Sequence, residues 1–140
     1  MIGQYSHNVD AKGRLFIPAR FREELGATFY VTVGMDKYKF LSVFSQAAWR
    51  AITEKIATLP IAKANQFRTI CGNAVECEPD AQGRILLPQK LRDYAGIQKD
   101  VVVVGIMNRC EIWAADQWKA NEDENLNPEL ISQLIGELEI

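Results

Sequence analysis

The sequence is poor in the side chains that most enzyme and metal chemistry requires. Its 140 residues include a single histidine, His7, and three cysteines. Histidine-assisted catalysis would have to use His7, and no activating motif surrounds that residue. The cysteines cannot form a paired disulfide framework and lack the two-residue spacing of zinc ligands. We therefore expect no metal, no cofactor and no small-molecule substrate, with the cysteines as small buried hydrophobic residues.

Long hydrophobic runs are absent as well. No apolar segment approaches the ~20 residues of a membrane span, and the N-terminus lacks the basic and then apolar pattern of a signal peptide. A composition of 48% hydrophobic and 24% charged residues is ordinary for a globular domain. Together with the few cysteines, these features predict a cytoplasmic protein without a membrane partner.

Charge is unevenly distributed along the chain. The formal net charge is −2, a balance that by itself argues against a nucleic-acid partner. However, residues 1–119 hold all 16 Lys and Arg against 12 Asp and Glu, whereas residues 120–140 hold six carboxylates and no cation. The split indicates a basic body with an acidic tail.

The chain contains an internal repeat. Residues 10–22 align with residues 80–92 at an offset of 70, and over 10–26 and 80–96 seven of 17 positions are identical. Background composition predicts roughly one identity. This similarity indicates a duplication.

Both copies predict the same local structure. An aspartate followed three residues later by glycine suits a turn in which the carboxylate caps backbone amides and the glycine takes a positive φ. The apolar residues after the turn predict a short buried strand, and a proline then starts a helix of about two turns. Two further strands follow in each copy. The predicted turn residues are Asp10, Gly13, Asp80 and Gly83.

The segments outside the two copies predict helices. Ser45 can cap a helix that ends at Pro60, and residues 61–71 predict a second helical piece with Ile61 and Phe67 facing inward. The polar residues 121–127 predict a linker, followed by a terminal helix capped by Asn127. Its apolar stripe should pack on the body of the protein or on a neighbouring subunit. We divide the chain into a first repeat (1–47), inter-repeat helices (48–73), a second repeat (74–119) and an acidic linker with an amphipathic helix (120–140).

The cations of the repeat are the most informative functional signal. Lys12 and Arg14 flank the first turn glycine, where side chains project from a loop, whereas Gln82 takes the place of Lys12 in the second copy. Arginine suits bidentate contacts with guanine or phosphate, although an ion pair of Arg84 with Asp80 is equally consistent with the spacing. The predicted DNA-binding residues are Lys12, Arg14, Arg84, Arg20 and Arg22.

The repeated motif Asp-x-x-Gly-Arg-(apolar)3-Pro-x-x-(apolar)-Arg resembles the AbrB-type swapped-hairpin DNA-binding domain. Its tandem arrangement over residues 1–119, with Gly105 and the strand 111–113, is similar to the MraZ family. The resemblance implies an α+β, mainly β fold: a duplicated AbrB-like (swapped-hairpin) pseudo-two-fold barrel with short helices and a C-terminal helix. It also implies assembly into a ring-like homo-oligomer.

The function that this resemblance implies is that of a bacterial transcriptional regulator rather than an enzyme. Such a protein would bind double-stranded DNA at direct repeats upstream of its own division and cell-wall gene cluster, and we expect a repressor associated with the nucleoid. Family loops facing DNA correspond here to Lys12, Arg14 and Arg84. The replacement of a cation by Gln82, and a 61–71 segment with only Lys63 and Arg68, depart from the family pattern.

Two other classes of function remain open at this point. One is an antitoxin-like, protein-binding AbrB module, in which the acidic residues 120–140 would wrap around a partner. The other is a barrel hydrolase in which Asp10 and Asp80 form a catalytic carboxylate pair. Since each aspartate lies in a turn that needs a local cap and precedes an arginine by four residues, the turn interpretation is favoured.

Overall fold

The computed structural model describes residues 1–140, with eight strands in two antiparallel sheets and seven α-helices. The strands are β1 (Gln4–Asn8), β2 (Arg14–Phe16), β3 (Phe29–Val33), β4 (Leu41–Ser45), β5 (Val75–Cys77), β6 (Arg84–Leu86), β7 (Asp100–Ile106) and β8 (Arg109–Ala114). The helices are α1 (Ala19–Leu25), α2 (Gln46–Ala57), α3 (Ile61–Ala64), α4 (Arg68–Gly72), α5 (Gln89–Tyr94), α6 (Ala115–Asn125) and α7 (Pro128–Glu137).

The larger sheet interleaves strands from both copies of the repeat. Its order is β1-β7-β8-β4-β3-β5. The hairpin β3–β4 of the first copy joins the hairpin β7–β8 of the second through β4 and β8, where Leu41 lies opposite Ile112. The α+β class is therefore confirmed. The sheet is open at β1 and β5, so the structure does not confirm a closed barrel.

The smaller sheet consists of β2 and β6, one strand from each copy. Leu15 lies opposite Ile85, and on either side Arg14 pairs with Leu86 while Phe16 pairs with Arg84. Exchanging the two copies leaves this register unchanged, because each residue is replaced by its equivalent 70 positions away. The two copies thus meet about a local pseudo-two-fold axis.

A cluster of 21 buried residues forms the core. Strand residues supply most of it, although helices hold more residues than strands in the whole chain. Phe21 and Leu25 of α1 and Leu91 of α5 close it with their buried side chains. Phe21 and Leu25 are four residues apart, which places both on the inner face of α1, and Leu91 is the counterpart of Phe21 in the second copy.

The cysteines follow the sequence prediction in two cases out of three. Cys77 and Cys110 are buried, whereas Cys71 is exposed and was wrongly predicted to be buried. Burial raises the pKa of Cys77 to about 11 and raises the pKa of Cys110 as well. Since the thiolate is the reactive form, both buried cysteines are chemically inert.

The inter-repeat segment begins with the predicted cap and continues as several short helical pieces. The backbone amide of Ala48 donates to Ser45 Oγ at 3.1 Å, which confirms the cap of α2. A 3-10 turn at Asn65–Phe67 separates α3 from α4. Phe67, predicted to face inward, is half-buried, as are Ala64 and Ile70 at the same three-residue spacing, whereas Ile61, the first residue of α3, is 80% exposed.

The predicted linker at 121–127 is mostly helix. Helix α6 continues to Asn125 and is supported by an ion pair between Lys119 and Asp123 at 3.0 Å, one helical turn apart. The amide of Leu130 donates to Asn127 Oδ1 at 2.8 Å, which confirms the predicted cap of α7. None of the helices is long and apolar enough to cross a membrane.

Helix α7 presents its apolar stripe to solvent. Ile131, Leu134 and Ile135 are 44–48% exposed, and no residue of the helix is buried. The stripe therefore does not pack on the body of its own chain, one of the two arrangements that the sequence predicts.

Candidate nucleic-acid interface

The first loop, residues 10–14, is a turn held by one carboxylate. Asp10 Oδ1 accepts hydrogen bonds from the amides of Lys12 and Arg14, both at 2.9 Å, and its Oδ2 accepts from Arg14 Nε at 2.7 Å. Gly13 takes a φ of 82°, as predicted for this position. The aspartate therefore fixes both the backbone of the loop and the direction of the arginine.

The second loop, residues 80–84, repeats this geometry. Asp80 Oδ1 accepts from the amides of Gln82 and Arg84 at 2.9 Å, and Oδ2 accepts from Arg84 Nε at 3.0 Å. Gly83 has a φ of 80°. Two loops that are 70 residues apart in sequence thus present an arginine in the same way.

The two carboxylates are held in the ionised form. The backbone hydrogen bond from Arg14, supported by its guanidinium and by the amide of Lys12, lowers the pKa of Asp10 from 3.8 to about 2. The equivalent bonds, led by the one from the Arg84 backbone, lower the pKa of Asp80. A carboxylate that accepts several hydrogen bonds retains its charge and is a poor general acid.

The pairing of β2 with β6 places the two loops next to each other. The amide of Ile17 donates to Gly83 O at 3.0 Å, and the amide of Leu87 donates to Gly13 O at 2.8 Å. Arg84 Nη1 also lies 3.7 Å from Asp10 Oδ2 in the neighbouring loop. Arg84 therefore contacts both aspartates, whereas Arg14 is paired with one.

The proximity of Asp10 and Asp80 does not make a catalytic pair. An acid–base dyad needs one carboxyl with a raised pKa, and both values here are lowered. Four surface cavities of about 260 to 570 Å³ lie elsewhere, and none is lined by a residue of either loop. No group of three His, Cys, Asp or Glu residues is placed to bind a metal ion.

The predicted DNA-binding residues occupy three kinds of position. Lys12 is exposed and free of ion pairs, while Arg14 and Arg84 expose 34% and 28% of their side chains from the edges of the loops. Arg20 is exposed on α1, outside the loops, and forms no ion pair. The structure therefore brings Lys12, Arg14 and Arg84 together on one surface.

Arg22 differs from the other predicted residues because it is half-buried against the fold. Its Nε donates to Ile17 O at 2.8 Å, and its guanidinium lies 5.3 Å from the centre of the Phe16 ring. Arg92, which the sequence analysis did not single out, makes the same bond to Leu87 O at 2.9 Å. The sequence contained a signal for Arg92, since Arg22 and Arg92 occupy equivalent positions in the two copies.

Comparison with known proteins identifies the family. The family model described as "MraZ protein, putative antitoxin-like" matches residues 1–69 and again residues 70–132. The chain belongs to the MraZ family. The two consecutive matches to the MraZ model divide the chain in the same order as the duplication.

Relatives of the chain carry one functional description. A transcriptional regulator MraZ from Caldicellulosiruptor bescii is 46% identical over 100% of this chain and 99% of the relative. Its counterpart from Carboxydothermus hydrogenoformans is 53% identical over 84% and 82%, and that from Alkaliphilus metalliredigens is 44% identical over 99% of each chain. Membership of the MraZ family, which is not a family of enzymes, confirms the prediction that the chain is not an enzyme.

Proposed function

We propose that the chain is a sequence-specific, double-stranded-DNA-binding transcriptional regulator. The observation that carries the proposal is the pair of adjacent loops with matching geometry, which present Lys12, Arg14 and Arg84 on one surface. The names of the relatives, which are transcriptional regulators, support it. In this proposal the protein acts in the cytoplasm, in association with the nucleoid, as a repressor.

In this proposal, the arginines and the lysine of the loops contact different parts of the DNA. In each loop the aspartate accepts from the arginine Nε, which leaves donors at the end of the guanidinium for an external acceptor. Bidentate contacts from Arg14 and Arg84 to guanine would supply sequence specificity, and Lys12 would contact a phosphate. We also assign Arg20, which is exposed on α1, to the surface that contacts DNA. Its exposure supports a phosphate contact beside the loops.

Tight binding in this proposal depends on several copies of the chain acting together. One chain offers only a few cations, but neighbouring subunits on neighbouring direct repeats bind at high effective concentration. The direct repeats would lie upstream of the chain's own division and cell-wall gene cluster. We propose a ring-like homo-oligomer for this assembly, with the β2–β6 pair at the centre of each swapped-hairpin unit.

The uncovered stripe of α7 supports self-association. Leu134 and its apolar neighbours are exposed, and α7 carries carboxylates but no cation. The segment from α2 to α4 offers the complement: residues of α2 and α4 line an apolar groove of about 430 Å³ with Lys55 at its wall, and Lys63 and Arg68 lie in the same segment. We propose that α7 of one copy packs against a second copy, since apolar and charged surfaces then match.

A gel-shift experiment tests the proposal. The probe is the DNA upstream of the chain's own gene, with a control in which the direct repeats are scrambled, across a series of salt concentrations. We expect retardation of the repeat-containing DNA, no specific complex with the scrambled DNA, and steep weakening with salt. Equal binding to both probes would contradict sequence-specific regulation.

An antitoxin-like, protein-binding role is the second candidate. The description of the matching family model names it, and the acidic residues 120–140 could serve as a partner-binding segment. A tail that wraps a partner is expected to be disordered when alone, whereas Asn127 caps an ordered helix here. Co-purification of a stoichiometric second protein would favour this candidate over the DNA-binding one.

A further inference from the structure

Arg22 and Arg92 each contact the turn of the opposite copy. The guanidinium of Arg22, from the first copy, lies against Gly83 in the second loop: a Cβ added at Gly83 would lie 2.7 Å from Arg22 Cζ and 2.9 Å from Nε and Nη2. Arg92, from the second copy, lies against Gly13 in the first loop, where an added Cβ would lie 2.9 Å from Nη2. The two glycines are therefore required by a close approach as well as by their positive φ.

Each guanidinium is aimed by a bond within its own copy. Arg22 Nε donates to Ile17 O, and Arg92 Nε donates to Leu87 O. The amides of the same two residues, Ile17 and Leu87, donate to the carbonyls of the opposite turn glycines. Each turn glycine therefore makes two contacts with the other copy: its carbonyl accepts a hydrogen bond, and a guanidinium lies against its Cα.

We propose that Arg22 and Arg92 are positioning residues that act crosswise. Arg92 holds the first loop, with Lys12 and Arg14, in the shape that meets DNA, and Arg22 holds the second loop, with Arg84. The two loops consequently form one recognition unit rather than two independent ones. The effect on DNA rests on the proposed function, whereas the crosswise contact with the turns is tested without DNA.

A stability cycle tests the contact directly. Gly83→Ala is introduced into an Arg22→Ala background and, as the matched control, into an Arg92→Ala background. We expect Gly83→Ala to reduce the folding equilibrium constant about tenfold less in the Arg22→Ala background, because the guanidinium that meets the new methyl group is gone. The strain of the positive φ is the same in both backgrounds and cancels. Equal losses in urea unfolding would overturn the proposal.

Amide hydrogen exchange provides a measurement on milder variants. Arg92→Lys retains the charge but loses the flat guanidinium, so the amides of Gly13 and Arg14 should exchange about three- to tenfold faster while those of Gly83 and Arg84 do not change. Arg22→Lys should show the reverse. A change confined to the altered residue's own copy, or equal in both loops, would overturn the crosswise assignment.

DNA binding then separates positioning from direct contact. Arg92→Lys combined with Lys12→Ala should cost less affinity than the two single changes together, whereas its combination with Arg20→Ala, which lies outside both loops, should be additive. A lysine that simply replaced a phosphate contact would retain most of the affinity, and that result would overturn the positioning role. If the parent protein does not bind DNA but the exchange pattern is crosswise, the proposed function fails while the contact between the copies stands.

Discussion

Replacement of Lys12 by alanine is the sharpest test of the loop surface, because it removes charge without removing structure. The amide of Lys12 donates to Asp10 Oδ1 and is retained in the variant, while its exposed side chain forms no ion pair. The turn, the glycine conformation and the Arg14 bond should therefore persist. Circular dichroism and thermal unfolding should match those of the parent.

The expected effect can be worked out from the number of phosphate contacts. Each contact contributes about 0.9 to the slope of the logarithm of the binding constant against the logarithm of salt concentration. Two subunits on a two-repeat operator each lose one contact, so the slope should become about 1.8 shallower. Between 50 and 200 mM salt, the parent should then lose roughly tenfold more affinity than the variant does.

Fluorescence anisotropy with a labelled two-repeat operator measures this slope. Lys39→Ala is the matched control, since Lys39 is an exposed lysine between β3 and β4, outside both loops and outside the proposed contact between copies, and its loss changes the net charge equally. We expect the control to retain the parent slope. The reasoning is refuted if Lys12→Ala leaves the slope unchanged, or if both variants reduce it by the same amount.

Two further predictions concern acid stability and assembly. Because the folded state lowers the pKa of Asp10 to about 2, the stabilisation from its charged form is present above the ordinary value of 3.8 and is lost as the pH falls toward 2. Urea unfolding between pH 5 and pH 2 should therefore be less pH-dependent in Asp10→Asn than in the parent, and parallel curves would exclude this role. Leu134→Glu should lower the mass seen by size-exclusion chromatography with light scattering, since a charge would enter the contact between copies. Ser132→Glu, a polar residue of the same helix, should not, and equal masses for the two variants would argue against α7 as a contact.

Local signals in the sequence predicted much of the fold. The caps at Ser45 and Asn127 and the positive φ at Gly13 and Gly83 each depend on one side chain and its immediate neighbours. Such features can be read from spacing, because the atoms involved lie within a few residues of each other. The short helices after the repeated prolines were predicted for the same reason.

Features that depend on contacts between the copies were not predicted. The crosswise approach of Arg92 to Gly13 joins residues almost 80 positions apart, and neither residue alone indicates it. The exposure of Ile61 and the length of α6 were also missed. Ile61 is the first residue of α3, at the edge of the predicted helical pattern, and the composition of residues 121–125 resembles a linker although these residues are helical.

The pseudo-two-fold pairing of β2 and β6 has a consequence for the kind of DNA site that suits this protein. A symmetric dimer of identical chains reads a palindrome, because its two halves must present the same side chains. In a duplicated chain the halves are free to diverge, and here Lys12 of the first copy corresponds to Gln82 of the second. Such a surface is asymmetric. A rotation by 180° about the local axis would place different side chains opposite the same bases. For the DNA-binding function proposed above, we therefore expect target sites that repeat head to tail, all in one direction.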